Sequence, residues 1–356
     1  LNKIEPAYKR MKEFLVKEYI PNCTDKAAIT ATTLGRPYYD HLVKYHTTST
    51  LTAEQIFDIG EKEVARISAE MEKVKTEVGF TGDLKSFFKY VREKKELMPF
   101  NTAEEVLASF ENMHQRMKPN LMKLFSQTPK TKFEVRRVPA FMEKTAAANY
   151  LPGTNDGSRP GIFYVPIPDP KKHNVHADES LFLHEAIPGH HYQCSLQAEN
   201  TDLPEFRRTL IYNANCEGWA LYTESLGKEL GLYTDPYQYF GMLGQEMHRA
   251  LRLVLDVGLH VKGWTREQAI QYSMDHEAGS EQGIISEVER YIGMPGQALS
   301  YKIGQLKIRE LRTKAEQELG EKFNIAEFHD VILSQGCLPL KLLEEKINSW
   351  IEEKKK

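Results

Sequence analysis

The chain has 356 residues, 41% hydrophobic and 27% charged, which is the balance of a globular protein with enough length to bury a sizeable core. Forty-seven basic residues against fifty acidic ones leave a formal charge of −3, and so no electrostatic footprint for nucleic acid or an anionic lipid surface. No stretch approaches the run of about 20 apolar residues that crosses a bilayer, so no membrane span is expected.

Helical periodicity dominates the first third of the chain. Thr52 to Gln55 reads as a capping box, in which side chains satisfy the orphan amides of a first helical turn. The apolar residues Ile56, Val64, Ile67, Met71 and Val74 then follow the three-and-four spacing of one helix face. The same start signal recurs at Thr102 to Glu105, Thr265 to Gln268 and Asn324 to Glu327, while Gly336 and Pro339 separate the last two helices. The middle differs. Phe133 to Val138 reads as a strand, Ala147 to Tyr150 leads into the turn-rich stretch Pro152 to Gly157, and Gly161 to Pro166 reads as another strand. Pro166 and Pro168 suit an edge strand, since proline cannot donate to a ladder on both sides. A small sheet is therefore expected just before a histidine-rich segment, with Asn149 and Tyr164 as candidate substrate-binding residues. An exposed edge at 161–165 could hold an extended peptide through main-chain hydrogen bonds.

The histidine-rich segment is His184-Glu185-Ala186-Ile187-Pro188-Gly189-His190-His191. A catalytic zinc takes three protein ligands, commonly two His and one Glu, and keeps a fourth position for water. The usual H-E-x-x-H helix supplies two imidazoles four residues apart and a glutamate general base between them. Here the fourth residue after His184 is Pro188. On a straight helix His190 falls roughly 120° off the face of His184, and His191 returns to that face about 10 Å along the axis. Pro188 cannot bond back to the carbonyl of His184, and Gly189 tolerates backbone angles that other residues resist. A distorted turn is expected to bring a later histidine to the metal, with His190 preferred over His191.

The pattern H-E-x-x-P-G-H, as His184 to His190, resembles the signature of the bacterial domain-of-unknown-function family 885, which is grouped with the gluzincin metallopeptidases. Asn149 to Thr154, Gly161 to Val165, Glu217 to Tyr222 and Pro295 to Gly304 also resemble that family, in its order and across essentially the whole chain. The resemblance implies a mainly α, gluzincin-like helical peptidase fold with a small β-sheet lining the active-site cleft. It also implies a chain that lacks a leading helical portion. Residues 1–130 are expected to form a helical wall of the cleft and 131–356 the catalytic region, together one continuous domain.

The third metal ligand is expected on the next helix, at Glu217, with Glu224 two turns further on the same face as the rival. The histidine segment and the resemblance together imply Zn2+ held by His184, His190 and Glu217, and Glu185 as general base. Tyr301 in the 295–304 stretch is the first candidate to stabilise the oxyanion. His260 is the second, since Asp256 four residues earlier shares its helix face and could orient the imidazole. His276-Glu277 repeats two letters of the motif, but Ser280 holds the fourth position, and the pair is read as a surface pair. The four cysteines, Cys23, Cys194, Cys216 and Cys337, form no C-x-x-C pair, which argues against a cysteine-based zinc site and leaves one disulfide open for an exported protein. The expected activity is zinc-dependent hydrolysis of peptide bonds. Its alternatives are an amidase acting on a non-peptide substrate and a catalytically inactive peptide-binding protein. An exported or periplasmic location is favoured over a cytoplasmic one, and the oligomeric state is open.

Overall fold

A computed structural model describes residues 2–143, 146–154 and 157–356, so that Asn155 and Asp156 of the expected turn lie outside the described residues. The first five helices are α1 (Ile4–Phe14), α2 (Gly35–Thr47), α3 (Ala53–Glu77), α4 (Leu84–Glu93) and α5 (Ala103–Leu124). Three short strands follow: β1 (Phe133–Arg137), β2 (Asn149–Leu151) and β3 (Gly161–Val165). Next come α6 (Asp178–Glu185), α7 (His190–Glu199), α8 (Glu205–Thr209), α9 (Asn213–Glu224) and α10 (Pro236–His260). The chain closes with α11 (Arg266–His276), α12 (Glu281–Gly293), α13 (Ser300–Leu319), α14 (Ile325–Leu333) and α15 (Leu340–Lys355). The molecule is thus mainly helical with one small sheet. No helix among the described residues is long and apolar enough to cross a membrane.

Local sequence accounts for the helix starts. Thr52, Thr102 and Thr265 each accept a hydrogen bond from the third residue of their helix, whose Gln or Glu side chain bonds back in return. Asn324 caps α14 by accepting from the amides of Ala326 and Glu327. The apolar stripe of α3 is fully buried, and that helix packs along α10, so the N-terminal region is built onto the C-terminal one. From Ala250 to His260 α10 is buried all round, which places it at the centre of the core. By contrast, Ile4, Tyr8, Met11 and Phe14 leave the apolar side of α1 exposed.

The sheet order is β1-β3-β2, with β3 parallel to β1 and antiparallel to β2. This corrects the expectation of an edge strand at 161–165: β3 is paired on both sides, and four of its five residues are buried. Its near-continuous apolar run, Ile162-Phe163-Tyr164-Val165, is what a central strand needs. The unpaired edges belong to β1 and to the exposed, three-residue β2.

Two helix pairs position the site. Helix α9 packs on α13 at a glycine-to-glycine crossing, where a Cβ on Gly304 would stand 1.8 Å from the carbonyl oxygen of Ala214 and one on Gly218 2.5 Å from the backbone of Gly304. Helix α9 also lies against both α6 and α7. It therefore carries its carboxylates to the junction between those two helices.

Candidate metal centre

The histidine segment is a junction between two helices. Helix α6 ends at Glu185, the Ile187–Pro188 peptide is cis, and α7 begins at His190. Gly189 approaches the preceding helix so closely that a Cβ would stand 1.9 Å from the carbonyl oxygen of His184 and 2.3 Å from that of Leu183. No other residue fits there. The next helix locks the junction in place: Trp219 Nε1 donates to the Pro188 carbonyl at 2.9 Å, and Thr223 Oγ1 donates to the Leu183 carbonyl at 2.9 Å.

This junction brings His184 and His190 together, with ring centroids 4.9 Å apart and planes perpendicular. The Glu217 Oε2 lies 3.5 Å from His184 Nε2 and 3.4 Å from His190 Nε2. Among the described residues this is the one group of His, Cys, Asp or Glu side chains whose ligand atoms converge as a metal site would require, within 4.8 Å of one another. Both nitrogen–oxygen separations fit a zinc ion. With ligands about 2.1 Å from the ion, the edges of a tetrahedron are about 3.4 Å long. Two imidazole nitrogens and a carboxylate are also the donor set common to catalytic zinc sites.

Electrostatics and outer contacts favour the same geometry. Glu224 Oε1 accepts from His184 Nδ1 at 2.7 Å, and Ser180 Oγ donates to its other oxygen. With the Glu224 carboxylate at Nδ1 and Glu217 at Nε2, burial opposes charge on His184 but the two carboxylates raise its pKa, and Glu224 orients the ring as outer partners of metal-bound histidines do. Glu224, the rival ligand by sequence, is thus the partner that orients His184. Burial opposes the charged imidazole of His190, yet the Glu217 carboxylate overrides it and pushes the ring up to about 10, so a metal ion bound here would take the place of that proton between the two side chains. Burial likewise opposes charge on Glu217, but His190 and His184 hold its carboxyl well below the usual carboxylate range. Glu217 is therefore ionised, as a ligand must be.

His191, the alternative to His190, points elsewhere. Its Nδ1 is 2.9 Å from the Tyr150 hydroxyl on β2, and its ring packs on Phe133 of β1, so it ties α7 to the sheet. Glu185 is half-buried at the last turn of α6, close enough to His190 and Cys194 to act on both electrostatically. A cavity of about 310 Å³ opens one turn further along α7, lined by Thr131, Gly153, Thr154, Cys194 and Ser195 among others.

The remaining expected residues are not brought into this cluster. His260 is fully buried, its Nδ1 accepts from the Ile29 amide at 3.0 Å, and its Nε2 lies 3.0 Å from the Tyr291 carbonyl. Both ring nitrogens are consumed in packing, so the assignment of His260 to the oxyanion is corrected. Asp256 does not orient it; that carboxylate accepts from the Tyr39 hydroxyl at 2.6 Å and from the Gly296 amide. Shared helix face was a necessary condition for an Asp256–His260 bond, and the burial of both groups against other partners decided otherwise. Tyr301 is half-buried on the first turn of α13, with the Arg252 guanidinium stacked 4.4 Å from its ring centroid. Asn149 is exposed and donates to the Ala147 carbonyl, and it pairs across the sheet with half-buried Tyr164.

Sequence reasoning missed a second polar cluster. His248 Nδ1 is 2.7 Å from Glu277 and its Nε2 3.4 Å from Glu287, which also pairs with buried Arg252 at 2.9 Å. Glu277 is hence no surface residue, and the reading of His276-Glu277 as a surface pair is corrected for it. The signal in the sequence was the His248–Arg252 spacing of four on one face of α10.

The sequence matches the family described as "Bacterial protein of unknown function (DUF885)" over residues 1–347. No curated protein matches it. Two solved structures are similar. One is a Colwellia psychrerythraea protein provisionally described as a lipoprotein, at 36% identity and TM-score 0.95 over 99% of this chain. The other, from Shewanella oneidensis, is provisionally described as a lipoprotein of unknown function, at 22% identity and TM-score 0.78 over 96% of this chain, and it shows likeness of fold alone. The chain spans 61% and 65% of the lengths of those two proteins. With its family match running from residue 1 to residue 347, the chain belongs to the DUF885 family of bacterial proteins.

Proposed function

We propose that the chain is a zinc-dependent peptidase of gluzincin-like construction. The observation that carries the reading is the convergence of His184, His190 and Glu217, both imidazole nitrogens standing 3.4–3.5 Å from the Glu217 oxygen, with Glu185 on the adjacent turn. A zinc ion held by those three side chains would supply a water acidified towards a pKa of about 7 and a positive charge for a carbonyl oxygen. Glu185 is placed to accept the proton of the attacking water and to deliver it to the departing amine. Glu224 holds His184 in the tautomer that leaves Nε2 free. His184 is buried and His190 and Glu217 are half-buried, which limits competition by bulk water for the imidazoles.

The substrate would lie along the sheet. The free edge of β2 takes the role first assigned to β3, and Tyr150 of that strand is bonded to His191, next to a ligand. Main-chain pairing there would hold an extended peptide irrespective of its side chains. An exported location accords with the two similar proteins provisionally described as lipoproteins.

The test is Glu185→Gln. Zinc-loaded wild type and variant are compared on a panel of short peptides and small amides. General-base loss is expected to lower kcat/KM on peptides by about 10²–10⁴-fold with zinc content unchanged. Equal rates in the two proteins would overturn the assignment, and turnover of small amides alone would favour the amidase reading.

A further inference from the structure

A second cavity, of about 340 Å³, opens where α3, α10 and α13 meet the segment that follows α9. That volume is at the lower end of small-molecule sites, which run from about 300 to 1,000 Å³. The charges around it fall into two groups. Glu63, Glu246, Arg66 and the fully buried Lys302 form a closed ring, in which each carboxylate pairs with both cations at 2.7–2.8 Å. Those four charges cancel.

Lys228 and Arg309 also line the cavity and stand outside the ring. Among the described residues neither pairs with a carboxylate; Lys228 Nζ instead lies 3.7 Å from the Tyr239 ring centroid, and the Arg309 guanidinium 5.6 Å from that of Tyr222. A cation over a ring keeps other N–H groups to donate elsewhere. Glu229, beside Lys228 in the chain, is bound to Arg312 at 3.0 Å and serves neither cation. The chain as a whole carries a formal charge of −3, so two uncancelled positive charges in one cavity are a local feature and not its background. Met242, Leu243 and Leu306 supply an apolar wall. The Tyr233 wall is fixed in advance: its φ is +56°, its hydroxyl donates to the Glu224 carbonyl at 2.7 Å, and its ring fills the space that a Cβ on Gly227 would need.

We propose that this cavity binds a small organic phosphate monoester, with the phosphate held by Lys228 and Arg309 and the body of the molecule on Met242, Leu243 and Leu306. Nothing in this rests on the peptidase reading. A phosphate monoester brings a charge of about −1.5 to −2 near pH 7 and three acceptor oxygens, which matches two leftover cations better than the single charge of a carboxylate. The planar guanidinium takes two of those oxygens, and the ammonium meets the group as a point charge.

Isothermal titration calorimetry tests this with phenyl phosphate, benzoate and inorganic phosphate, on zinc-loaded and metal-free protein. Wild type is compared with Lys228→Gln, Arg309→Gln and, as a control on exposed α1, Lys12→Gln. Phenyl phosphate is expected to bind wild type with a Kd below about 1 mM, equally with and without zinc. Benzoate and inorganic phosphate should each bind about tenfold more weakly or less, the first lacking charge and the second the apolar body. Each cavity substitution should raise the Kd about tenfold through loss of a charge-assisted hydrogen bond, and Lys12→Gln should leave it unchanged. Lys228 is exposed, so its variant reads the site even if Arg309→Gln fails to fold. No binding of phenyl phosphate up to about 10 mM would overturn the site. So would a Kd unchanged in Lys228→Gln, an equal loss in Lys12→Gln, or binding that requires zinc, which would put the ligand on the metal. Benzoate bound as tightly would overturn the choice of phosphate, and inorganic phosphate bound as tightly would overturn the role of the apolar wall.

Discussion

Replacing Glu224 with glutamine isolates the contribution of charge to the metal centre. Glu224 accepts from His184 Nδ1 at 2.7 Å and from Ser180 Oγ, and the side chains of His184 and Glu224 are 5% and 1% exposed. The substitution preserves shape. The amide oxygen can accept from Nδ1 while the amide nitrogen donates to Ser180 Oγ, so no buried group loses its partner. What disappears is the negative charge that makes the imidazole a stronger base and fixes its tautomer. Hydrogen bonds to an ionised partner are about twice as strong as neutral ones. Loss of such an outer carboxylate costs metal affinity about 10–100-fold, or about 1.4–2.7 kcal/mol. The zinc Kd of Glu224→Gln, measured by competition with a chromophoric chelator, is therefore expected to rise by that factor. The thermal unfolding midpoint of the metal-free variant should stay close to wild type. A Kd within twofold of wild type would refute the reasoning, since it would mean that His184 needs no carboxylate behind it.

Two further outcomes follow from packing and protonation. Gly189→Ala places a methyl 1.9 Å from the His184 carbonyl oxygen, so the helix junction must open. Overpacking of this kind costs about 1–3 kcal/mol or more, and calorimetric melting with zinc quantification should record a lower midpoint together with lost metal; full zinc content would show that the junction does not set the ligand spacing. His329 is fully buried, with Nδ1 donating to the Leu124 carbonyl at 2.7 Å and Nε2 accepting from the Tyr222 hydroxyl at 2.8 Å, and burial pushes its pKa down to about 3. It stays neutral in the fold while the unfolded chain binds a proton below about pH 6.5, so its contribution falls with pH from there down to about pH 3, at about 1.4 kcal/mol per unit. Between pH 6.5 and 4.5 wild type should lose about 2 kcal/mol more than His329→Gln in urea unfolding, and parallel losses would contradict it.

The helices and strands were legible because they rest on local signals. The capping boxes at Thr52, Thr102 and Thr265 and the strands read at 133–138 and 161–166 stand where their side-chain chemistry puts them. Strand order was not legible. Gly161 to Val165 reads the same whether one or two neighbours pair with it, and only the return of β1 and β2 on either side made it central. The local spacing left His190 and His191 open. Their separation depends on how α7 leaves Gly189, so that one ring faces Glu217 and the next faces Tyr150. His260 shows the converse limit. Its spacing from Asp256 was right for a pair, but the N-terminal segment supplies the Ile29 amide from 231 residues away, and no local pattern encodes that.

The central claim is that three side chains hold one metal ion. Zinc per chain, measured by inductively coupled plasma mass spectrometry after loading and desalting, tests it in wild type, His184→Ala, His190→Ala, Glu217→Ala and His191→Ala. One zinc per chain is predicted in wild type and His191→Ala, and none in the other three. Zinc retained by His190→Ala or Glu217→Ala, or lost from His191→Ala while that variant remains folded, would contradict it.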